Sequence, residues 1–175
     1  MNTANIERYL NSFGKYIVKQ SRTNLTKGKK NVGKELYNSI RFEVVTTSDG
    51  FTVQFYMLDY GTFVDKGVSG TSVRRSFKDY KGNTIASPYK YTTKQPPSRV
   101  LDKWIVRKGI APRDEKGKFI SRKSISFLIA RSIKKKGIQG ISFFQRPLEL
   151  ALKDFGTDLL GAVKNDIIEG LTTVK

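Results

Sequence analysis

Cysteine and histidine are both missing from the 175 residues. Without thiolate or imidazole there is no disulfide, no zinc site of the usual kinds, and no catalytic dyad or triad built on either side chain. Acidic residues are scarce too: 15 Asp and Glu stand against 33 Lys and Arg, a formal net charge of +18. No apolar run approaches the roughly 20 residues that span a bilayer. The opening Met1–Asn5 leads into a charged amphipathic stretch and not into the apolar region of a signal peptide, so a cytoplasmic product, or a particle assembled there, is expected. Gly67-Val68-Ser69-Gly70-Thr71 lacks the lysine of a phosphate-binding loop, which argues against nucleotide hydrolysis.

The acidic residues that remain give little to chemistry. Glu35, Glu43, Asp49, Asp59 and Asp65 are the one grouping to weigh as a Mg²⁺ site, and a hard cation needs several oxygens that converge. Asp49 belongs to a turn and Glu43 to a different strand face, so ordinary solvated carboxylates are the preferred reading. No catalytic residue, cofactor or metal is expected, and a structural or binding role gains weight.

What the chain does have is aromatic content, 11 Phe, 8 Tyr and one Trp, within a hydrophobic share of 38%. Such a chain folds as a globular unit, and its length suits one domain spanning 1–175. Its charge is unevenly distributed. Residues 1–70 hold 10 basic and 6 acidic side chains, residues 71–136 hold 19 and 4, and residues 137–175 hold 4 and 5. A middle segment of that sign attracts nucleic acid or an acidic protein surface; the plainer alternative is a solvated face that keeps the protein soluble.

Ile6, Tyr9, Leu10, Phe13 and Ile17 recur at three- and four-residue spacing, which predicts an amphipathic helix from about Asn5 to Leu25, followed by a basic loop over Thr26–Asn31. Phe42–Thr46 and Phe51–Met57 read as strands. Phe51, Val53, Phe55 and Met57 alternate with polar neighbours, and Asp49-Gly50 supplies the hairpin turn. Leu58–Lys66 fits a short helix or tight turn with Tyr60, Phe63 and Val64 inward and Gly67 as its stop. From Val68 to Thr93 the composition predicts an extended loop or a second hairpin. Its Arg74, Arg75, Lys78, Lys81, Lys90 and Lys94, interleaved with Phe77, Tyr80, Tyr89 and Tyr91, suit single-stranded nucleic acid or, as preferred here, a protein interface. Arg74, Arg75, Lys78, Lys90 and Lys94 are the candidate partner- or DNA-facing residues.

Pro96-Pro97-Ser98 introduces a helix through Val100, Leu101, Trp104 and Ile105, closed by Gly109 and Pro112. After the charged turn Arg113–Lys118, Ser121 or Ser124 caps a helix striped by Ile125, Leu128, Ile129 and Ile133. Its end, Lys134-Lys135-Lys136, complements the helix dipole. Ile141–Phe144 is expected as a last strand, and Pro147 opens a closing helix, striped by Leu148, Ala151, Leu152, Phe155, Leu159, Val163 and Ile167, that should cover the sheet. The fold class is α+β: a small antiparallel sheet packed by an N-terminal and a long C-terminal helix, with a basic loop-and-helix elaboration at about 68–136.

Two short signatures extend this reading. Gly33, Leu36, Ser39 and Ile40 precede the hairpin and Phe63, Val64, Asp65 and Gly67 follow it, while Gly140-Ile141-Ser142-Phe143-Phe144-Gln145-Arg146-Pro147 opens the closing helix. In this order they resemble the tail-completion or neck proteins of tailed bacteriophages, which join capsid to tail. The resemblance spans most of the chain, with Ser39, Ile40, Phe63, Val64, Asp65, Gly67, Phe143, Phe144 and Pro147 as its motif positions and one residue too many between Gly33 and Leu36. It implies a structural, non-enzymatic virion protein that forms a homo-oligomeric ring at the head-to-tail junction. Portal or connector and tail proteins would be its neighbours, with genomic DNA contacted without sequence specificity. A basic nucleic-acid-binding protein is the alternative, as is a tail terminator or tail-tube ring protein.

Overall fold

Ala4–Lys27 forms a 24-residue helix, α1, whose buried positions Leu10, Gly14, Ile17, Val18, Ser21 and Leu25 follow the periodicity of one helical face. The computed structural model describes residues 3–30 and 32–173. In chain order there follow α2 (Glu35–Ser39), β1 (Arg41–Thr47), β2 (Gly50–Tyr56), α3 (Gly61–Lys66), β3 (Val68–Ser69), β4 (Ser76–Lys78), β5 (Thr84–Ala86), α4 (Ser98–Arg107), α5 (Arg122–Lys136), β6 (Gly137–Ile138), α6 (Gln145–Lys153) and α7 (Phe155–Thr173). The architecture is α+β, with the strands of the described residues paired as three ribbons, β1–β2, β3–β6 and β4–β5. None of the described helices is long and apolar enough to cross a membrane.

The chain divides into two compact units. The first comprises residues 1–61, 78–83 and 142–175. Here β1 and β2 pair in antiparallel register, with Phe42 opposite Phe55, Val44 opposite Val53 and Thr46 opposite Phe51. Period-two alternation puts these six side chains on one face. The other face carries Arg41, stacked on the Tyr56 ring at 4.2 Å and paired with Glu43. Helix α1 covers the inner face, and it approaches closely because position 14 is glycine: a Cβ there would lie 2.2 Å from the Phe42 ring. Helices α6 and α7 lie against α1, where Phe155 meets Phe13 and Tyr9 with ring centroids 4.8 and 5.7 Å apart. The closing segment thus packs chiefly on the first helix, and α1 takes the place on the ribbon expected for it. Ile17, Leu25, Ile40 and Phe143 are fully buried in this core.

The second unit comprises residues 62–77 and 84–141, which takes in most of the basic elaboration. Gly67 turns the chain at a φ of +75°, and a Cβ there would fall 2.5 Å from the Gly140 nitrogen, so no side chain fits. Beyond it β3 pairs with β6, Val68 opposite Ile138. The strand at Ser69 continues as a bridge to Lys90, with Ser69 donating to the Tyr89 carbonyl and Tyr91 to the Ser69 carbonyl, both at 2.8 Å. Helices α4 and α5 pack together around Ile105, Ile125 and Ala130.

Several local expectations are corrected. Of the Thr26–Asn31 loop, Thr26 and Lys27 complete α1, and Asn31 lies outside the described residues. Ile141–Phe144 forms no strand, because Ser142 takes a φ of +47° and Phe143 turns into the core; the preceding Gly137–Ile138 pairs instead. Tyr60 and Phe63 are about two-fifths exposed, not inward, although Phe63 meets the Tyr89 ring edge-on at 4.6 Å. On α5 the inward face is Ile125, Ser126 and Ala130, which leaves Leu128 outside. The closing helix is interrupted at Asp154.

Candidate polyanion and partner interface

The second unit concentrates its charge on a helical hairpin. Pro97 precedes the first turn of α4, Ser121 caps α5 by accepting a hydrogen bond from the Ser124 amide at 3.2 Å, and Ile105 is fully buried against α5. Between the helices, Gly109 at a φ of +63° releases the chain from α4. Asp114 then organises a turn by accepting from the amides of Lys116 and Lys118 at 3.0 and 2.9 Å, and Arg113 stacks over Phe119 at 3.9 Å. From Ser98 to Lys136 there are 13 basic and 3 acidic residues. Among the described residues of this span a single cation reaches a carboxylate, Arg122 at 3.9 Å from Asp102. Most of the remaining cations are exposed and none is within 4 Å of a carboxylate among the described residues, which suits a polyanion.

Two grooves run along this hairpin. One, of about 420 Å³, is lined by Ser98 and Arg99 in the first turn of α4, Asp102 and Lys103 in the next, and Lys123 and Ser126 of α5. Spacings of four on α4 (Arg99, Lys103) and three on α5 (Lys123, Ser126) bring each pair to one helix face. Ser126 is 3% exposed, and its Oγ is buried with no hydrogen-bond partner. The other groove, about 350 Å³, is apolar, formed by Ile105, Val106, Ile110, Phe119, Ile120 and Ile125.

The residues singled out from the sequence fall into separate places. Arg74, Lys90 and Lys94 are exposed in the second unit, whereas Lys78 is exposed in the first. Arg75 is engaged: Nε donates to the Lys136 carbonyl at 2.9 Å and a terminal nitrogen to Gln139 Oε1 at 3.1 Å, so it ties down the carboxyl end of α5. Burial raises the phenol pKa of Tyr91 above its ordinary value.

The motif positions are structural. Ser39 Oγ donates to the Leu36 carbonyl at 2.8 Å and accepts from the Leu58 amide at 3.2 Å. Ile40, Phe143 and Pro147 are buried, Phe144 meets the Phe55 ring edge-on at 5.3 Å, the half-buried Val64 accepts from the Ile141 amide at 3.2 Å, and Asp65 is 3% exposed. Comparison with family models, curated proteins and solved structures returns no match to this chain.

A third surface belongs to the first unit. Leu160, Ile167, Ile168 and Leu171 of α7 are exposed, Leu160 and Leu171 by about 70%. Their spacing of seven, eight and eleven residues from Leu160 makes one apolar stripe. No group of three or more carboxylates is placed to hold a metal ion among the described residues. Sequence reading missed Arg99, Lys103, Lys123 and Ser126 as a set and counted Ile167 as packing. Their helical spacings were visible, but not the facing of α4 against α5.

Proposed function

We propose that this chain is a structural virion protein of a tailed bacteriophage, which multimerises into a ring at the head-to-tail junction and surrounds the DNA that passes through. The observation that carries the reading is the coexistence, in one chain, of an apolar stripe on α7 and an unneutralised basic hairpin, α4–α5. A ring around DNA needs both: apolar surface to meet a neighbouring subunit, and sequence-independent attraction for phosphates. The order of the neck-protein-like motifs along the chain, Ser39-Ile40, Phe63–Gly67 and Phe143–Pro147, supports it. Portal or connector proteins and tail proteins would be the neighbours above and below.

Two measurements test it. The purified protein should run as a multimer by light scattering, and the double variant Leu160→Lys, Leu171→Lys should run as a monomer with unchanged circular dichroism, since both side chains leave the helix toward solvent. In particles released from a producing host, the protein should co-purify with the neck. A wild-type monomer at high concentration, or absence from purified particles, would overturn the reading.

The second reading, a nucleic-acid-binding protein acting outside a particle, is favoured by the basic hairpin alone. Submicromolar binding to DNA by the monomeric variant, with a steep salt dependence, would select it.

A further inference from the structure

The groove between α4 and α5 has an internal logic that a diffuse basic surface lacks. Three cationic side chains, Arg99, Lys103 and Lys123, line one small concavity from two helices. Ser98 and Arg99 of the first turn of α4 belong to the lining, and the N-cap there is Pro97, which has no side chain able to cap, so the amino end of a ten-residue helix adds partial positive charge beside the groove. Asp102 is the one carboxylate in the lining, and it is drawn toward Arg122 at 3.9 Å. Ser126, which shares the α5 side of the lining with Lys123, is 3% exposed, and its Oγ has no partner in the protein. A buried hydroxyl without a hydrogen bond is destabilising, and donation to a bound acceptor oxygen would offset that.

We propose that this groove seats one phosphodiester group of a nucleic-acid strand that lies along the α4–α5 hairpin. Arg99 and Lys103 contact its non-bridging oxygens from α4, Lys123 does so from α5, and the Ser126 hydroxyl donates to the same phosphate. A nucleic acid fits better than a lone anion because the cations continue well beyond the groove, 13 basic against 3 acidic residues between Ser98 and Lys136. One phosphate could use only a few of them. The site reads backbone and not bases, so it carries affinity without sequence preference. This inference extends the DNA-facing part of the reading above but does not need the ring.

The test uses the full chain and a fluorescently labelled oligonucleotide of about 20 nucleotides, titrated across a salt series. Removing the three groove cations (Arg99→Gln, Lys103→Gln, Lys123→Gln) should weaken binding at least about tenfold and lower the slope of log affinity against log salt by about 1, the change for one phosphate no longer neutralised. Removing three exposed cations of the same hairpin (Lys108→Gln, Lys116→Gln, Lys118→Gln) should weaken it much less. Ser126→Ala should weaken binding a few-fold with the salt slope unchanged, and should leave the thermal midpoint equal or higher, because it deletes an unsatisfied hydroxyl. Equal losses from the two triple variants would overturn the seat while leaving general DNA attraction intact. Inorganic phosphate alone, titrated at constant ionic strength, should compete only at millimolar concentration. Tight phosphate binding with no oligonucleotide binding would overturn the proposal in favour of a small-anion site. Multimerisation of the groove variants should remain that of the wild type, so a failure here is separate from a failure of the ring.

Discussion

At the scale of single residues, Asp166 does more for the first unit than its place near the end of α7 suggests. Thr3, the N-cap of α1, makes no capping hydrogen bond from its side chain to the backbone, and Asp166 replaces it from the other end of the chain. Oδ1 accepts from the Asn5 amide and side chain at 2.9 Å, and Oδ2 accepts from the Ile6 amide at 3.0 Å. Burial alone would raise the carboxyl pKa, for no solvent reaches the side chain. The hydrogen bonds from Asn5 and Ile6, helped by the Arg8 charge, outweigh that burial, and the pKa lies below its ordinary value of 3.8. A carboxylate with a depressed folded pKa contributes stability that is complete above the unfolded value and is lost as pH falls through the folded one. The protection factors of the Asn5 and Ile6 amides, which compare the exchange rate of the unprotected chain with theirs at the same pH, should therefore be high at neutral pH and fall only below the ordinary carboxyl pKa. Asp166→Asn should show low protection at these amides at every pH, since an amide presents one acceptor and turns an NH₂ toward a donor. High protection that does not change with pH in both proteins would show that α1 is anchored by something else.

Among the elements, α1 and the ribbon show how one glycine sets a distance. Gly14→Ala would gain about 1 kcal/mol of helix propensity, but its methyl group would sit 2.2 Å from the Phe42 ring. Overpacking of that kind costs about 1–3 kcal/mol, and Phe42 is held by its ring contact with Phe55. The net effect should be destabilisation of about 1 kcal/mol in denaturant unfolding; a stabilised variant would mean that the helix lifts off the ribbon at little cost. The periodicities behind this seam were legible in the chain: the Ile6–Ile17 spacing, the alternation from Phe51 to Phe55 and the Asp49-Gly50 turn each specify local structure directly. Elements that depend on distant partners were not. Ile141–Phe144 has a strand's composition, yet Val68 pairs with Ile138, and the left-handed Ser142 sends Phe143 inward. The apolar spacing that includes Leu148, Phe155, Leu159 and Val163 identified a packing face, with Ile167 left exposed, without revealing that its chief partner is another helix.

For the molecule as a whole, the sign of the charge was plain from composition, while its location was only half legible. Counting placed it between residues 71 and 136, and aromatic interleaving drew attention to Arg74–Lys94. The helices behind that loop hold the denser and less neutralised set, because two helical faces meet there and residue spacing along one chain does not say which faces meet. That distribution has a consequence for stability. A net charge of +18 repels itself in the folded state. Against it stand two ion pairs among the described residues, both between partly exposed groups, and such pairs contribute about 0–1 kcal/mol each. Salt screens both, with a Debye length falling from about 30 Å at 0.01 M to about 3 Å at 1 M, so the larger repulsive sum loses more than the few attractive pairs. The thermal midpoint should rise by several degrees between about 0.02 and 0.5 M sodium chloride, and the groove-cation triple variant should start higher and rise less. A midpoint that fell with added chloride would mean that attractive pairs outweigh the repulsion, and the hairpin would then have little unbalanced charge to offer a nucleic acid.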